Sequence, residues 1–234
     1  MDERTVSVWA KDIQRRRPHL TREAVVAAAV SIADAEGISA VSIRRVAAEL
    51  GARTMSLYTH IESKEGLFDL MADAIAAEVI VPPEQLPDGW REAISMIARR
   101  EREAMQRHPW AQELVGQKTT IGPSAIAHIE QSLAALDGLG VDVPTAARIV
   151  SAVDEYMLGC VIREDMHRRH GLTADERRAT KLMYLRSMTA GGGHPHVEAL
   201  LELGPEFVMS GNEAFEQGLT WLLDGIEHNV AKNG

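Results

Sequence analysis

Six side chains between positions 53 and 60 can hydrogen-bond outward from one short stretch: Arg53, Thr54, Ser56, Tyr58, Thr59 and His60. Hydroxyls, a phenol and an imidazole on a helix suit the base edges of a DNA major groove, which is wide enough to admit that helix. Leu57 and Ile61 punctuate the stretch at a spacing that predicts inward anchors. Arg44 and Arg45 precede it and Lys64 follows it. Such charges could hold phosphates, which fix orientation without reading sequence.

These residues need elements to position them. Thr21 predicts the cap of a helix running to about Glu36, with Ala24, Ala28, Ile32 and Ala35 on its apolar face and Gly37 as its stop. Ser42 predicts the cap of a short helix through Leu50, turned inward at Ile43, Val46, Ala47 and Leu50. After Gly51, Thr54 to His60 form a second short helix, and Ser63 caps a longer one from Lys64 to about Val81. Two short helices around a glycine-containing turn make a helix-turn-helix.

The segment from Leu20 to about Ile75 resembles the DNA-binding domain of the TetR (tetracycline repressor) family of bacterial regulators. The matching runs are Thr21-Arg-Glu-Ala, Ala33-Asp-Ala-Glu-Gly37, Val41-Ser-Ile-Arg-Arg-Val-Ala47, Glu49-Leu-Gly51, Ser56-Leu-Tyr-Thr-His60 and Ser63-Lys-Glu-Gly-Leu-Phe68. The resemblance implies that Tyr58, His60 and Lys64 contact phosphates, and that Arg44, Thr54, Ser56 and Thr59 contact or approach bases. Met55 departs from the bulkier residue or proline that many members carry there. The operator therefore cannot be copied from a relative.

Composition bounds the rest. The chain has 234 residues, 45% of them hydrophobic, and a formal net charge of −9. One cysteine, Cys160, excludes an intrachain disulfide and points to a reducing compartment. No apolar run approaches a membrane span, and the polar first 19 residues lack a signal-peptide core, so a cytoplasmic protein without membrane contact is expected. An acidic chain lacks the overall basic footprint usual in a DNA binder. The charge is unevenly placed, however. Residues 1–66 carry ten basic and nine acidic side chains, whereas residues 67–234 carry 15 and 25. Arg15, Arg16 and Arg17 precede the first helix, either as a basic arm for the minor groove or as a solvated leader.

Helical spacing continues to the end, and strand alternation is nearly absent, so the fold class is all-α. Three parts are expected: an arm at 1–19, a helix-turn-helix domain at 20–81, and a larger helical domain at 82–234. Helices are predicted from Trp90 to about Arg107, Trp110 to Val115, Ser124 to Leu136 and Asp142 to about His170. The third has Ile126, Ile129, Leu133 and Leu136 on one face. Thr173-Ala-Asp-Glu176 and Ser210-Gly-Asn-Glu213 are capping boxes for later helices, with a short helix over His196 to Leu203 between them.

This second part resembles the ligand-binding and dimerisation domain of the tetracycline-repressor branch. Val150-Ser-Ala-Val153, Leu158-Gly-Cys-Val161, Phe215 with Gly218-Leu219, and Leu222-Leu-Asp-Gly-Ile-Glu227 carry the resemblance. It implies a homodimer on a palindromic double-stranded DNA operator, with an interface including Ile149, Val153, Phe215, Leu219, Leu222 and Ile226. It also implies a small-molecule effector, with pocket candidates Met96, Arg100, Trp110, Gln117, Met157, Cys160 and His167. Positions aligned with the founding member's grip on metal-chelated tetracycline fall near Ile80, Ile97 and Val115, all apolar. No metal and no cofactor are therefore expected, and a lipophilic or aromatic effector is. The rival reading is a helical small-molecule-binding protein or an enzyme without DNA-binding activity. Glu164-x-x-His167 is its best support, as half of a carboxylate metal site.

Overall fold

The computed structural model describes residues 20–114, 121–169, 171, 173–204 and 209–233. The described residues form helices and turns without a strand. The first helix, α1 (Arg22–Glu36), starts where the Thr21 hydroxyl accepts from the Ala24 N–H and stops at Gly37, whose φ is +85°. Its buried face is Val25, Val26, Ala29, Ile32 and Ala33. The expected face through Ala24, Ala28 and Ala35 is rotated from this one, because the bulkier valines take the core.

The helices α2 (Ile43–Glu49) and α3 (Thr54–Leu57) meet around Gly51, where φ is +59°. Ser42 caps α2 by accepting from the Arg45 N–H. The regular part of α3 is shorter than the expected Thr54 to His60. Its C-terminal turn tightens, with His60 and Ile61 N–H both donating to the Leu57 carbonyl. Leu57 and Ile61 are buried as anchors. Ser63 then caps α4 (Lys64–Val79).

Beyond a 3₁₀ turn come α5 (Trp90–Arg107), a second 3₁₀ turn over Pro109–Leu114, and α6 (Pro123–Ala134). They are followed by α7 (Val143–Arg169), α8 (Ala174–Thr189), α9 (Pro195–Glu202) and α10 (Gly211–Asn233). Both capping boxes close reciprocally, at Thr173 with Glu176 and at Ser210 with Glu213. The N-terminus of α6 is capped from another helix. Asp73 of α4 accepts from the N–H groups of Ser124 and Ala125 at 2.9 and 3.1 Å and from the Ser124 hydroxyl at 3.0 Å. Gly122 permits this approach, since a Cβ there would overlap the Asp73 carboxylate. At the other end of the pair, the Gln131 amide brackets Val81, accepting from its N–H and donating to its carbonyl.

Two apolar clusters result. The first joins α1 to α4 but also takes in Ala104, Trp110, Ala111 and Leu114, so this core crosses the expected boundary at residues 81 and 82. The second joins α5, α7 and α10 around Phe215, Met157 and Leu219. Tyr156 sits against it, stacked on Phe215 and donating its hydroxyl to the Ala214 and Phe215 carbonyls. Ile126 and Ile129 stay exposed rather than buried, while Ser132 and the half-buried Ser124, Ala125, His128 and Gln131 form the inward side of α6. Removing the carboxylate in Asp73→Ala leaves two N–H groups of α6 without their acceptor. The expected loss is about 0.5–2 kcal/mol, read from urea unfolding.

Candidate nucleic-acid interface and ligand cavity

At the α2–α3 tip, Arg53, Met55, Ser56, Tyr58 and Thr59 are exposed, while Thr54 and His60 are half-buried. They share one surface because Leu57 and Ile61 hold the opposite side in the core. The Thr59 hydroxyl donates to the Ser56 backbone carbonyl at 2.7 Å, which orients the Thr59 side chain. Arg22 of α1 donates to the His60 carbonyl at 3.1 Å and fixes the end of the reading segment. Arg44 is exposed at the start of α2, and Lys64 opens α4 with its ammonium 5.1 Å from the Phe68 ring centre. Arg45 differs from its neighbour. It is paired with Glu49 at 2.7 Å and Glu36 at 2.9 Å, which makes it a brace between α1 and α2. Arg15–Arg17 lie outside the described residues.

A cavity of about 380 Å³ opens between α4, α5, α6 and the Pro109–Leu114 turn. Ala72, Ile75, Ala76 and Val79 form its α4 wall, Glu101, Ala104 and Met105 its α5 wall, and Ala125, His128 and Ile129 its α6 wall. The wall is mostly apolar, yet two buried polar atoms have no hydrogen-bond partner: Glu101 Oε2 and His128 Nδ1. Burial, reinforced by Asp154 of α7, pushes the Glu101 carboxyl up to about 8. Asp154 rises to about 6, mainly through burial, and burial lowers His128.

The six expected effector residues that the structure describes do not meet in this cavity. Met96 and Arg100 line a surface depression between α5 and α10. Met157 and Cys160 are buried in the second core, because the apolar face of α7 is used up by α5 and α10. Trp110 instead ties the turn to α1, donating from Nε1 to Asp34 at 2.6 Å, with His108 Nδ1 at 2.7 Å from the same oxygen. His167 is exposed on the last turn of α7, and Gln117 lies outside the described residues. The cavity residues come from three helices and a turn, so no single stretch announced them. Glu101, a carboxylate on the inward face of α5, was the one available signal.

Of the expected interface residues, Ile149, Val153, Phe215 and Leu219 are buried within the chain, with Ile149 at the edge of a groove. Leu222 and Ile226 are half-buried and border that groove with the exposed Trp221. Glu164 is committed elsewhere. It accepts from Arg102 at 2.7 Å and Gln106 at 2.7 Å, while the Arg102 guanidinium lies 4.5 Å from the Phe215 ring centre. The half-motif at Glu164 and His167 is therefore a packing lock. Among the described residues no group of three His, Cys, Asp or Glu could hold a metal ion.

Residues 25–71 match the family model for bacterial regulatory proteins of the tetR family, and residues 82–230 match that for tetracyclin repressor-like C-terminal domains. The chain belongs to the TetR family. It is a DNA-binding transcriptional regulator rather than an enzyme. The HTH-type transcriptional repressor DrrR1 of Streptomyces coeruleorubidus is 36% identical over 92% of this chain and 80% of its own. An HTH-type transcriptional regulator of Saccharopolyspora erythraea is 34% identical over 69% of each. Apo ActR from Streptomyces coelicolor superposes with a TM-score of 0.77 over 92% of this chain and 98% of its own, at 24% identity, a likeness of fold. ActR in complex with actinorhodin gives 0.76 over 91% and 99%, at 28% identity. No helix among the described residues is long and apolar enough to cross a membrane.

The raised Glu101 carboxyl has a stability consequence. Between about pH 4.5 and 8 the folded chain keeps a proton there that the unfolded chain releases, so this group destabilises the fold as pH rises through that window. Asp154 adds the same sign between about pH 3.8 and 6. Glu101→Gln should melt above the parent at pH 8, and the gap should close by pH 5 in thermal melts.

Proposed function

We propose that this TetR-family regulator represses transcription as a cytoplasmic homodimer whose α2–α3 heads grip a palindromic operator and are released when a small lipophilic or aromatic effector enters the α4–α5–α6 cavity. One observation carries the reading: α4 begins at the reading head with Lys64 and ends as a wall of the cavity. Sixteen residues make it about 24 Å long, so a small tilt at the cavity displaces the head. The effector must bind the released arrangement more tightly than the gripping one, since only differential affinity shifts the equilibrium. Similarity to ActR, crystallised in complex with actinorhodin, supports a small-molecule effector.

In this reading Thr54, Ser56 and Thr59 meet base edges. Met55, 75% exposed, offers an apolar contact suited to thymine methyl groups. Tyr58, His60, Arg44, Arg53 and Lys64 hold phosphates, and Arg45 steadies α2 from behind. The second copy packs on the groove at Trp221, Leu222 and Ile226, which leaves two heads pointing the same way. Two-fold symmetry then matches half-sites about one helical turn apart.

A DNA site selected from random sequence by the whole protein tests this. Tyr58→Ala should stay folded, while its affinity falls about tenfold or more in anisotropy titrations, with two chains per site. Arg44→Ala should also lower the salt slope by about one, while Arg45→Ala should leave that slope near the parent value. Unchanged affinity in folded Tyr58→Ala would sink the assignment of the reading surface.

A further inference from the structure

The effector cavity has a sign. Among the described residues its charged wall residues are Asp69 and Asp73 from α4 and Glu101 from α5, with neither Lys nor Arg. Asp73 is occupied in capping α6. Glu101 is not: its Oε2 is sealed from water without a hydrogen-bond partner. Asp154 of α7 adds a second carboxylate nearby, and His128 of α6 presents the cavity's imidazole. A buried acceptor left unpaired is costly, and no described residue pairs with this one.

We infer that the cavity selects a lipophilic cation, an apolar ring system carrying a basic amine or quaternary ammonium group seated against Glu101. The inference rests on the effector reading above and adds the chemical class. Met105, Ile75, Ala104 and Ile129 take the apolar body, and the Glu101 carboxylate meets the positive charge. An anion would face three carboxyl groups. A neutral alcohol would gain the apolar contact and at most one uncharged hydrogen bond to Glu101 Oε2, which is weaker than a charge-assisted one. Because Glu101 holds its proton at pH 7, a cation that pairs with it expels that proton. The bond broken is the carboxyl O–H, and the proton goes to buffer. Affinity for a permanent cation therefore rises with pH from 6 to 9.

Three naphthalene probes separate the possibilities by calorimetric titration into the whole protein: (1-naphthylmethyl)trimethylammonium, 1-naphthalenemethanol and 1-naphthaleneacetate. The cation should bind about tenfold tighter than the alcohol at pH 8, and the acetate most weakly. Its heat at pH 7 should vary with the ionisation enthalpy of the buffer, reporting proton release. Glu101→Gln should abolish both the preference and the proton release, while the alcohol still binds. If the alcohol or acetate binds as tightly as the cation, the class is wrong although the cavity still binds small molecules. If none of the three binds, the cavity reading fails with it. The pH dependence in the parent protein decides the matter should the variant fold poorly.

Discussion

The helix α4 is held on two sides at once. Leu67, Met71, Ile75 and Val79 complete the core beneath the reading head, while Ala72, Ala76 and Val79 wall the cavity. Close-packed side chains transmit displacement because voids are few and interiors compress little. In the proposed switch a ligand larger than the empty cavity displaces α4, α6 or both, and α6 is locked to α4 through Asp73 and Gln131. The pair moves as a unit, and Lys64 and Phe68 at the near end of α4 carry that motion to the α2–α3 tip. Small wall residues make the device workable, since Ala72 and Ala76 leave space that bulkier side chains would close.

Two polar locks give that motion something to work against. Asp34 of α1 gathers His108 and Trp110 from the turn after α5, tying the head to the body. Deeper in the body, Arg102 and Glu164 form a largely buried pair between α5 and α7, extended by Asn212 of α10. Breaking one member of such a pair is strongly unfavourable, because the other charge stays buried. The α5–α7–α10 assembly is thus the rigid frame and α4–α6 the element that responds. The free groups Glu101 and His128 lie between the two, on the cavity side of the frame. The net charge of −9 fits this division, since its excess lies outside the reading head.

Much of the fold was legible because helix starts are local events. Thr21, Ser42, Ser63, Thr173 and Ser210 each announce a helix, and each hydroxyl accepts the expected N–H. Helix phase was less legible where alanine dominates. In α1 apolar residues occupy most positions, so more than one face is apolar, and packing chose the face that holds the larger Val25 and Val26. Periodicity also cannot say what buries a stripe. Ile149, Val153, Phe215 and Leu219 are spaced for a helix partner, and that partner proved to be in the same chain. The reading head was legible through Leu57 and Ile61, whose burial turns their neighbours outward. The cavity was not, because its walls come from segments far apart in the chain, and its polar groups gain meaning only from lacking partners.

The central claim is that occupancy of the space beside α4 controls the grip on DNA. The most direct measurement is operator affinity for Ala76→Trp, which fills the cavity from its α4 wall without touching the reading surface. The account predicts that this variant unfolds cooperatively, excludes the naphthalene cation and binds its operator about tenfold more weakly with no ligand present. A variant that excludes the cation yet binds the operator as tightly as the parent would contradict it.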